Sequence, residues 1–333
     1  MKITYYVHDL KFPLVEGIRK QAFWLAKEMK KQGYDVAIVS TSSKKQTIIR
    51  DGVKIIYGNF LSIRKQKTDI MHYLIHPTPY IVPLLLSTKA KKSILTFFGG
   101  NLNAFHKHFW TKPMIWLVNK KISIITAQTN NQLKLIKKTG LKPKVKLIMP
   151  LMPHFKRNSK KSKEPTILFM SHLSKIKGIL DLINAFKILK KQIRDAKLVI
   201  AGSGLIEEKD VKEKIKQIKK QFPEDIILKG IVDPESELSK SWLYVYPIQS
   251  AQETFSIPLS LIEAYQTKTP CLVSDVGGIN EFFDKKTLIK PKSPAQLAEK
   301  IIELIKKPKL YRPLKEFNNT KVINRFIEIY KDG

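Results

Sequence analysis

Residues 253–281, ETFSIPLSLIEAYQTKTPCLVSDVGGINE, bring together groups that can hold a phosphate and a polyol. A turn-rich loop runs into a helix that carries a carboxylate, Glu263. A short apolar strand at 270–273 and a Gly277-Gly278 turn follow. Backbone N–H groups at a helix N-terminus attract an anion, because those donors lack intrahelical partners and the helix dipole is positive there. A carboxylate in the first turn or two accepts hydrogen bonds from sugar or ribose hydroxyls. Together these describe a pocket for a nucleotide sugar.

A second basic element lies upstream. Residues 171–178, SHLSKIKG, fall between an apolar strand and a helix, with Lys177 at the carboxyl end of the strand. Ligands of open α/β sheets bind at such ends, and a Lys there can neutralise a diphosphate. Gly202 and Gly204 follow the strand KLVIA; a tight turn after a strand would use them in any fold of this type. The first strand-to-helix turn holds one useful glycine, Gly17, and no G-x-G-x-x-G. It either starts the helix or lets a phosphate approach the backbone. The seven His show no H-x-x-x-H spacing on a helix, and His106 and His108 have no third ligand. No protein-held metal and no cofactor are expected. A single cysteine, Cys271, excludes an internal disulfide and suits a reducing compartment. Neither G-x-S-x-G nor G-x-x-x-x-G-K-[ST] occurs.

The elements that position these residues alternate between strand and helix. At 333 residues the chain exceeds one ordinary core, so two domains are expected. Strands are read at 2–7, 36–40, 53–57, 70–73, 93–97, 122–127 and 145–149, with a helix over 18–32 that ends at Gly33. Residues 156–165 are polar, charged and end on Pro165, after which the pattern restarts. Strands at 166–170, 197–201, 226–228 and 243–247 alternate with helices at 179–192, 211–222 and 235–241. Helices at 294–306 and 319–330 close the chain. The expected division is 1–160, 161–310 and a terminal helix in 311–333. The sheets should be parallel and covered on both faces.

Charge is distributed unevenly. The net charge is +33. Residues 1–163 hold 32 Lys+Arg and 6 Asp+Glu, a balance of +26, while residues 164–333 hold 29 and 22, a balance of +7. No acid occurs between Asp69 and Glu164. A Lys-favouring proteome would explain the ratio of Lys to Arg but not the loss of acids from one half. Such a field attracts anionic headgroups or nucleic acid. The apolar stretch at 70–87 contains His72, His76, Pro77, Pro79 and Pro83 and is a poor membrane span, and the N-terminus lacks an apolar signal core.

Taken in order, the segments KQGYDVAIVS, SHLSKIKGILDLINAF, KLVIAGSG and LIEAYQTKTPCLVSDVGGINE resemble the retaining glycosyltransferases of family 4. The resemblance is strong over 164–310 and diffuse over 1–163. It implies the GT-B fold: an α/β chain with two Rossmann-like doubly wound domains facing a central cleft, acceptor in the first and donor in the second. It implies transfer of a sugar from a nucleoside-diphosphate sugar to an acceptor hydroxyl with retention. Lys177, His172 and Glu263 would stand at the reacting centre, Lys177 pairing with the diphosphate and Glu263 holding the ribose. Gly17, Gly202 and Gly204 would admit the donor, and Val232 would lie against the base. The loop of Phe255, Ser256, Ile257, Pro258 and Leu259 would offer N–H groups, from its residues other than proline, to phosphate and sugar. Glu253 is set apart from Glu263 by nine residues, a wider gap than the family's two loop glutamates show, so either Glu253 or Phe255 takes the first position. His172 stands where the family usually has Arg. Phe98 stands where many members have a His, and His106 is the nearby acceptor-side candidate.

With the basic half holding the acceptor, the expected partners are a lipid-linked or glycan acceptor in cell-surface polysaccharide, glycolipid or protein-glycan synthesis, and an anionic membrane. The expected location is cytoplasmic, peripheral on the inner face of the cell membrane, with no specific nucleic acid bound. The alternative is a basic nucleic-acid- or membrane-binding protein on a catalytically degenerate GT-B fold. The aromatic run at 105–110 could stack bases in that case, although no RNA- or DNA-binding signature is present.

Overall fold

β1 (Lys2–His8) is KITYYVH, and Ile3 to Val7 are buried without a break. Continuous burial of this kind marks a parallel strand covered on both faces. In the computed structural model, residues 1–42, 45–59, 62, 64, 66–76, 81–98, 102, 111–155, 160–202, 208–250, 257–311 and 313–332 are described. The chain divides into two units, Met1–Leu151 with Phe317–Gly333, and Met152–Glu316. The division lies ahead of the polar segment expected to mark it. Gln21 explains why: its amide donates to Leu151 O at 2.7 Å and accepts from Leu151 N at 2.8 Å, tying Leu151 to the first unit.

In the first unit β1 is followed by α1 (Gly17–Lys31), β2 (Asp35–Thr41), β3 (Gln46–Arg50), β4 (Val53–Gly58), β5 (Thr68–Ile75), α2 (Ile81–Ser87) and β6 (Ala90–Phe97). α3 (Thr111–Lys121), β7 (Ile124–Ala127), α4 (Asn130–Lys138) and β8 (Lys144–Leu147) complete it. The sheet order is β3-β4-β2-β1-β5-β6-β7-β8. The sequence led to an expectation of a parallel sheet, and one strand departs from it: β3 runs antiparallel to β4. The cause is local. Asp51 and Gly52 form a two-residue turn with φ of 47° and 75°, the Asp-Gly geometry that matches strand twist in a hairpin. α2 and α3 carry Pro83 and Pro113 at their third residues, where the missing N–H removes no helix bond.

The second unit contains β9 (Thr166–Met170), α5 (Ile179–Lys190), β10 (Lys197–Ala201), α6 (Lys209–Gln221), β11 (Ile226–Lys229), α7 (Pro234–Lys240), β12 (Leu243–Tyr246), α8 (Leu259–Gln266), β13 (Cys271–Ser274), β14 (Leu288–Ile289) and α9 (Pro294–Lys306). Its strand order is β11-β10-β9-β12-β13-β14, with every pairing parallel. A core of Phe169, Phe186, Leu198, Ile200, Leu243 and their neighbours fills the space between sheet and helices.

The last helix, α10 (Asn319–Lys331), returns to the first unit. It buries Val322, Ile323, Phe326, Ile329 and Tyr330, each worth about 1.5–3 kcal/mol of apolar burial. Beneath it runs a polar chain through the sheet. Tyr5 and Tyr330 hydroxyls lie 3.2 Å apart, and Tyr330 Oη meets His72 Nδ1 at 2.7 Å. His72 Nε2 meets Thr96 Oγ1 at 2.7 Å, which meets Thr126 Oγ1 at 2.5 Å. Both ring nitrogens are therefore partnered. Complete burial lowers the His72 pKa to about 3, so the ring stays neutral.

Candidate active site

In the second sheet the chain moves outward from β9 through β10 to β11, then crosses to β12 on the other side of β9. The carboxyl ends of β9 and β12 therefore flank the switch point, where doubly wound sheets bind ligands. The sequence after β9 is SHLSKIKG, with a short 3₁₀ turn over Lys175–Lys177. His172 is exposed and Lys177 half-buried on this loop. Gly178 follows with φ 78°, the left-handed region that favours glycine. A Cβ on Gly178 would fall 1.8 Å from Pro247 O, on the loop after β12. The two loops thus touch backbone to backbone. Gln249 reinforces the contact: its N–H donates to Ile176 O at 2.8 Å, and its side-chain amide donates to Asp181 Oδ2 at 2.8 Å.

The neighbouring lysine is committed elsewhere. Lys175 Nζ lies 2.6 Å from Asp210, and its N–H faces the Glu208 carboxylate at 3.1 and 3.2 Å. The β9 loop also leans on the end of β10. A Cβ on Gly202 would sit 2.7 Å from Leu173 Cγ. The small size of Gly202 therefore admits Leu173.

Glu263 lies on α8, 2 % exposed, in a turn whose Leu261, Ile262 and Ala264 are buried as well. An acid on a buried helix face is rare without a binding or pairing role. Helix α8 begins at Leu259 with Pro258 as its N-cap, and no side chain caps it. Ile257 is buried, and Pro258 and Leu259 are half-buried. Tyr244 on β12 anchors this end. Its hydroxyl donates to Ser260 Oγ at 2.7 Å and lies 3.3 Å from Met170 O. One fully buried side chain so links the carboxyl end of β9 and strand β12 to the first turn of α8. Burial raises its pKa well above the ordinary value, and the Glu263 charge adds to the effect.

Val232 is half-buried after β11, beside Gly230, whose missing side chain faces open space. Lys177, His172, Gly202, Val232, Ile257, Pro258, Leu259 and Glu263 thus all lie in the second unit, beyond or beside strand ends. Gly204, Glu253, Phe255, Ser256 and His106 lie outside the described residues. Gly17 is in the first unit, opening α1 after β1. Tyr244, Gln249 and Asp181 were not singled out in sequence. Tyr244 alone offered a signal, a polar-tipped aromatic in the buried strand LYVY.

In the first unit, Phe98 is buried and lines a small cavity with Gln21, Thr96, Thr126 and Gln128 at the carboxyl ends of β6 and β7. His76, just past β5, is exposed and tied to Phe98 O through Nδ1 at 2.5 Å. A carbonyl only accepts, so Nδ1 carries the proton and Nε2 of the neutral ring is left as an acceptor. Among the described residues no helix is long and apolar enough to cross a membrane.

Residues 152–321, just over half of the chain, match the family described as glycosyl transferases group 1. The chain belongs to this family. It is 34% identical over 109 residues to the poly(glycerol-phosphate) alpha-glucosyltransferase of Bacillus subtilis (strain 168), covering 32% of this chain and 15% of that protein. It is 27% identical over 182 residues to the N-acetyl-alpha-D-glucosaminyl L-malate synthase of Bacillus anthracis, covering 51% of this chain and 46% of that protein. The matched stretches thus span less than half the length of these relatives. The crystal structure of Anabaena Alr3699/HepE in complex with UDP and glucose superposes with a TM-score of 0.76 at 15% identity, over 99% of each chain. The two Rossmann-like sheets of this family member, parallel but for β3, are those of the GT-B fold.

Proposed function

We propose that this chain is a retaining glycosyltransferase of family 4, moving a sugar from a nucleoside-diphosphate sugar to an acceptor hydroxyl. The observation that carries the reading is the switch point of the second sheet. There Lys177 stands on the β9 loop, locked against the β12 loop, and α8, whose first turn Tyr244 holds, carries the buried Glu263. A half-buried ammonium suits a diphosphate leaving group, and Glu263 suits ribose hydroxyls. The N–H groups of Ile257 and Leu259 would face phosphate and sugar, and Val232 the base.

In the reaction the bond from the anomeric carbon to the diphosphate oxygen breaks. A new bond forms from that carbon to the acceptor oxygen on the same face. The acceptor proton passes to the departing diphosphate, whose charge Lys177 and His172 offset. No protein nucleophile is consumed, and the reading asks for no protein-held metal or cofactor. Both relatives carry alpha in their names, as retention from an α-linked donor gives. The structural neighbour holds UDP and glucose, which favours a UDP-sugar.

The acceptor side is assigned to residues 1–160 and the donor side to 161–310, with Gly17 and His106 contributing from the first. The relative named for poly(glycerol-phosphate) acts on an anionic polymer by its name, and an excess of +26 in residues 1–163 suits an anionic or lipid-linked acceptor held at a membrane surface. Such a protein would work peripherally on the inner face of the cell membrane. Incubation with UDP-glucose and UDP-N-acetylglucosamine, with release of UDP measured, tests the reading. Slow donor hydrolysis is expected, lost in Lys177→Ala. Release of UDP at the same rate from that variant would remove Lys177 from the site.

A further inference from the structure

The acid-free stretch between Asp69 and Glu164 carries a surface that the donor site does not use. α3 buries Thr111, Met114, Leu117 and Val118 and turns Lys112, Trp116 and Lys120 outward, a stripe at four-residue spacing. Trp116 is 61% exposed, and Lys120 Nζ sits 5.1 Å from its ring centre. α2 packs beside α3 and leaves Leu86 66% exposed. Asn119 then joins α3 to the loop after α4, donating to Gly140 O at 3.1 Å and accepting from Lys142 N at 2.7 Å. This brings the exposed Lys142 beside the exposed Lys120 and Lys121. The face therefore combines a large indole, an aliphatic side chain and lysines, with no acid anywhere between Asp69 and Glu164.

We infer that this face of α2 and α3 docks on an anionic lipid bilayer, Trp116 and Leu86 entering the headgroup boundary and the lysines meeting lipid phosphates. An indole is favoured at that boundary because its body is apolar and its N–H is polar. Lysine adds charge near an anionic surface and buries its stem along apolar neighbours. The chemistry fits other occupants less well. No Arg occurs from 65 to 156, whereas nucleic-acid recognition draws on the planar guanidinium. A second copy of the chain would bring two surfaces of the same sign together. The inference rests on the acceptor-side reading for why a bilayer is met, but its test uses neither donor nor turnover.

The test is co-sedimentation of the full chain with phosphatidylcholine vesicles and with phosphatidylcholine–phosphatidylglycerol vesicles. Binding is expected only to the second, with a blue shift of tryptophan emission that Trp116→Phe abolishes. Joint replacement of Lys112, Lys120 and Lys121 by Gln should weaken partitioning roughly a hundred-fold. These are surface positions, and unchanged circular dichroism would verify folding. Equal recovery on both vesicles, unchanged partitioning of the triple variant, or preferential capture by single-stranded RNA would overturn the inference. So would self-association that buries Trp116 without lipid. Stabilisation by UDP, followed in the same samples, reports the donor site separately. Its loss with vesicle binding intact would sink the transferase reading and leave this one standing.

Discussion

The contact between Gly178 and Pro247 sets the geometry of the candidate donor site, and replacing Gly178 by Ala tests it. Two costs add. Alanine in the left-handed region, at φ 78°, costs about 1–2 kcal/mol. The new Cβ would lie 1.8 Å from the Pro247 carbonyl oxygen, which is backbone and cannot rotate away. The β9 and β12 loops must part, and the 2.8 Å bond from Gln249 N to Ile176 O lengthens or breaks, costing about 0.5–1.5 kcal/mol. The sum is roughly 1.5–3.5 kcal/mol, or about 3–14 °C in Tm for a unit of this size. Two further glycines calibrate the result. Gly33→Ala meets nothing within 4 Å but keeps φ at 83°, so only the conformational cost remains. Gly230→Ala meets nothing within 4 Å and has ordinary φ, so it should be neutral. Scanning calorimetry with and without UDP is the assay. Gly178→Ala should melt lowest of the three and lose UDP stabilisation. A Gly178→Ala protein that melts and binds UDP like the parent would refute the argument.

Lys177→Ala should lower kcat by about 10²–10³-fold, as loss of one preorganised contact does, whereas Lys175→Ala, whose ammonium already pairs with Asp210, should leave kcat near normal in the same steady-state assay. Tyr244→Phe removes the hydroxyl that holds Ser260 and should cost about 1 kcal/mol, seen as a higher donor KM with kcat little changed. His72 supplies a pH dependence: the unfolded ring takes a proton near 6.5, the folded one only near 3. Between these values the unfolded state binds more protons, so stability falls as pH drops, by up to about 1.4 kcal/mol per unit. Urea midpoints should decline from pH 6.5 to 4.5, and less steeply in His72→Asn. Chelation with EDTA should leave donor hydrolysis unchanged.

The strands of the second unit were readable because their signals are local. TILFM and KLVIA are apolar runs bounded by turn residues, and β9 and β10 begin and end where those runs do. The hairpin at Asp51-Gly52 was equally local, but the short polar strand QTIIR has little buried surface to announce it. α2 and α3 were not read in the sequence; each carries a proline in its first turn, Pro83 and Pro113, and proline ordinarily interrupts a helical pattern. Glu263 stood out as an acid within LSLIEAYQ. The contacts that hold the site could not be read this way. Tyr244 with Ser260, Gln249 with Asp181, and Gly178 with Pro247 join segments 16 to 69 residues apart, and only the strand order brings them together. Charge marked the basic half, but the outward stripe of Lys112, Trp116 and Lys120 required the helix itself.

The central claim is that the second unit holds a nucleoside-diphosphate sugar between the ends of β9 and β12, with Lys177 and Glu263 on the ligand. The most direct measurement is the shift in melting temperature on adding UDP to the parent, Lys177→Ala and Glu263→Gln proteins. At a hundred times its Kd, UDP should stabilise the parent by about 2.7 kcal/mol, roughly 5–11 °C for the second unit. Both variants should show much less at the same concentration. No stabilisation of the parent by UDP or GDP, or an equal shift in all three proteins, would contradict the account.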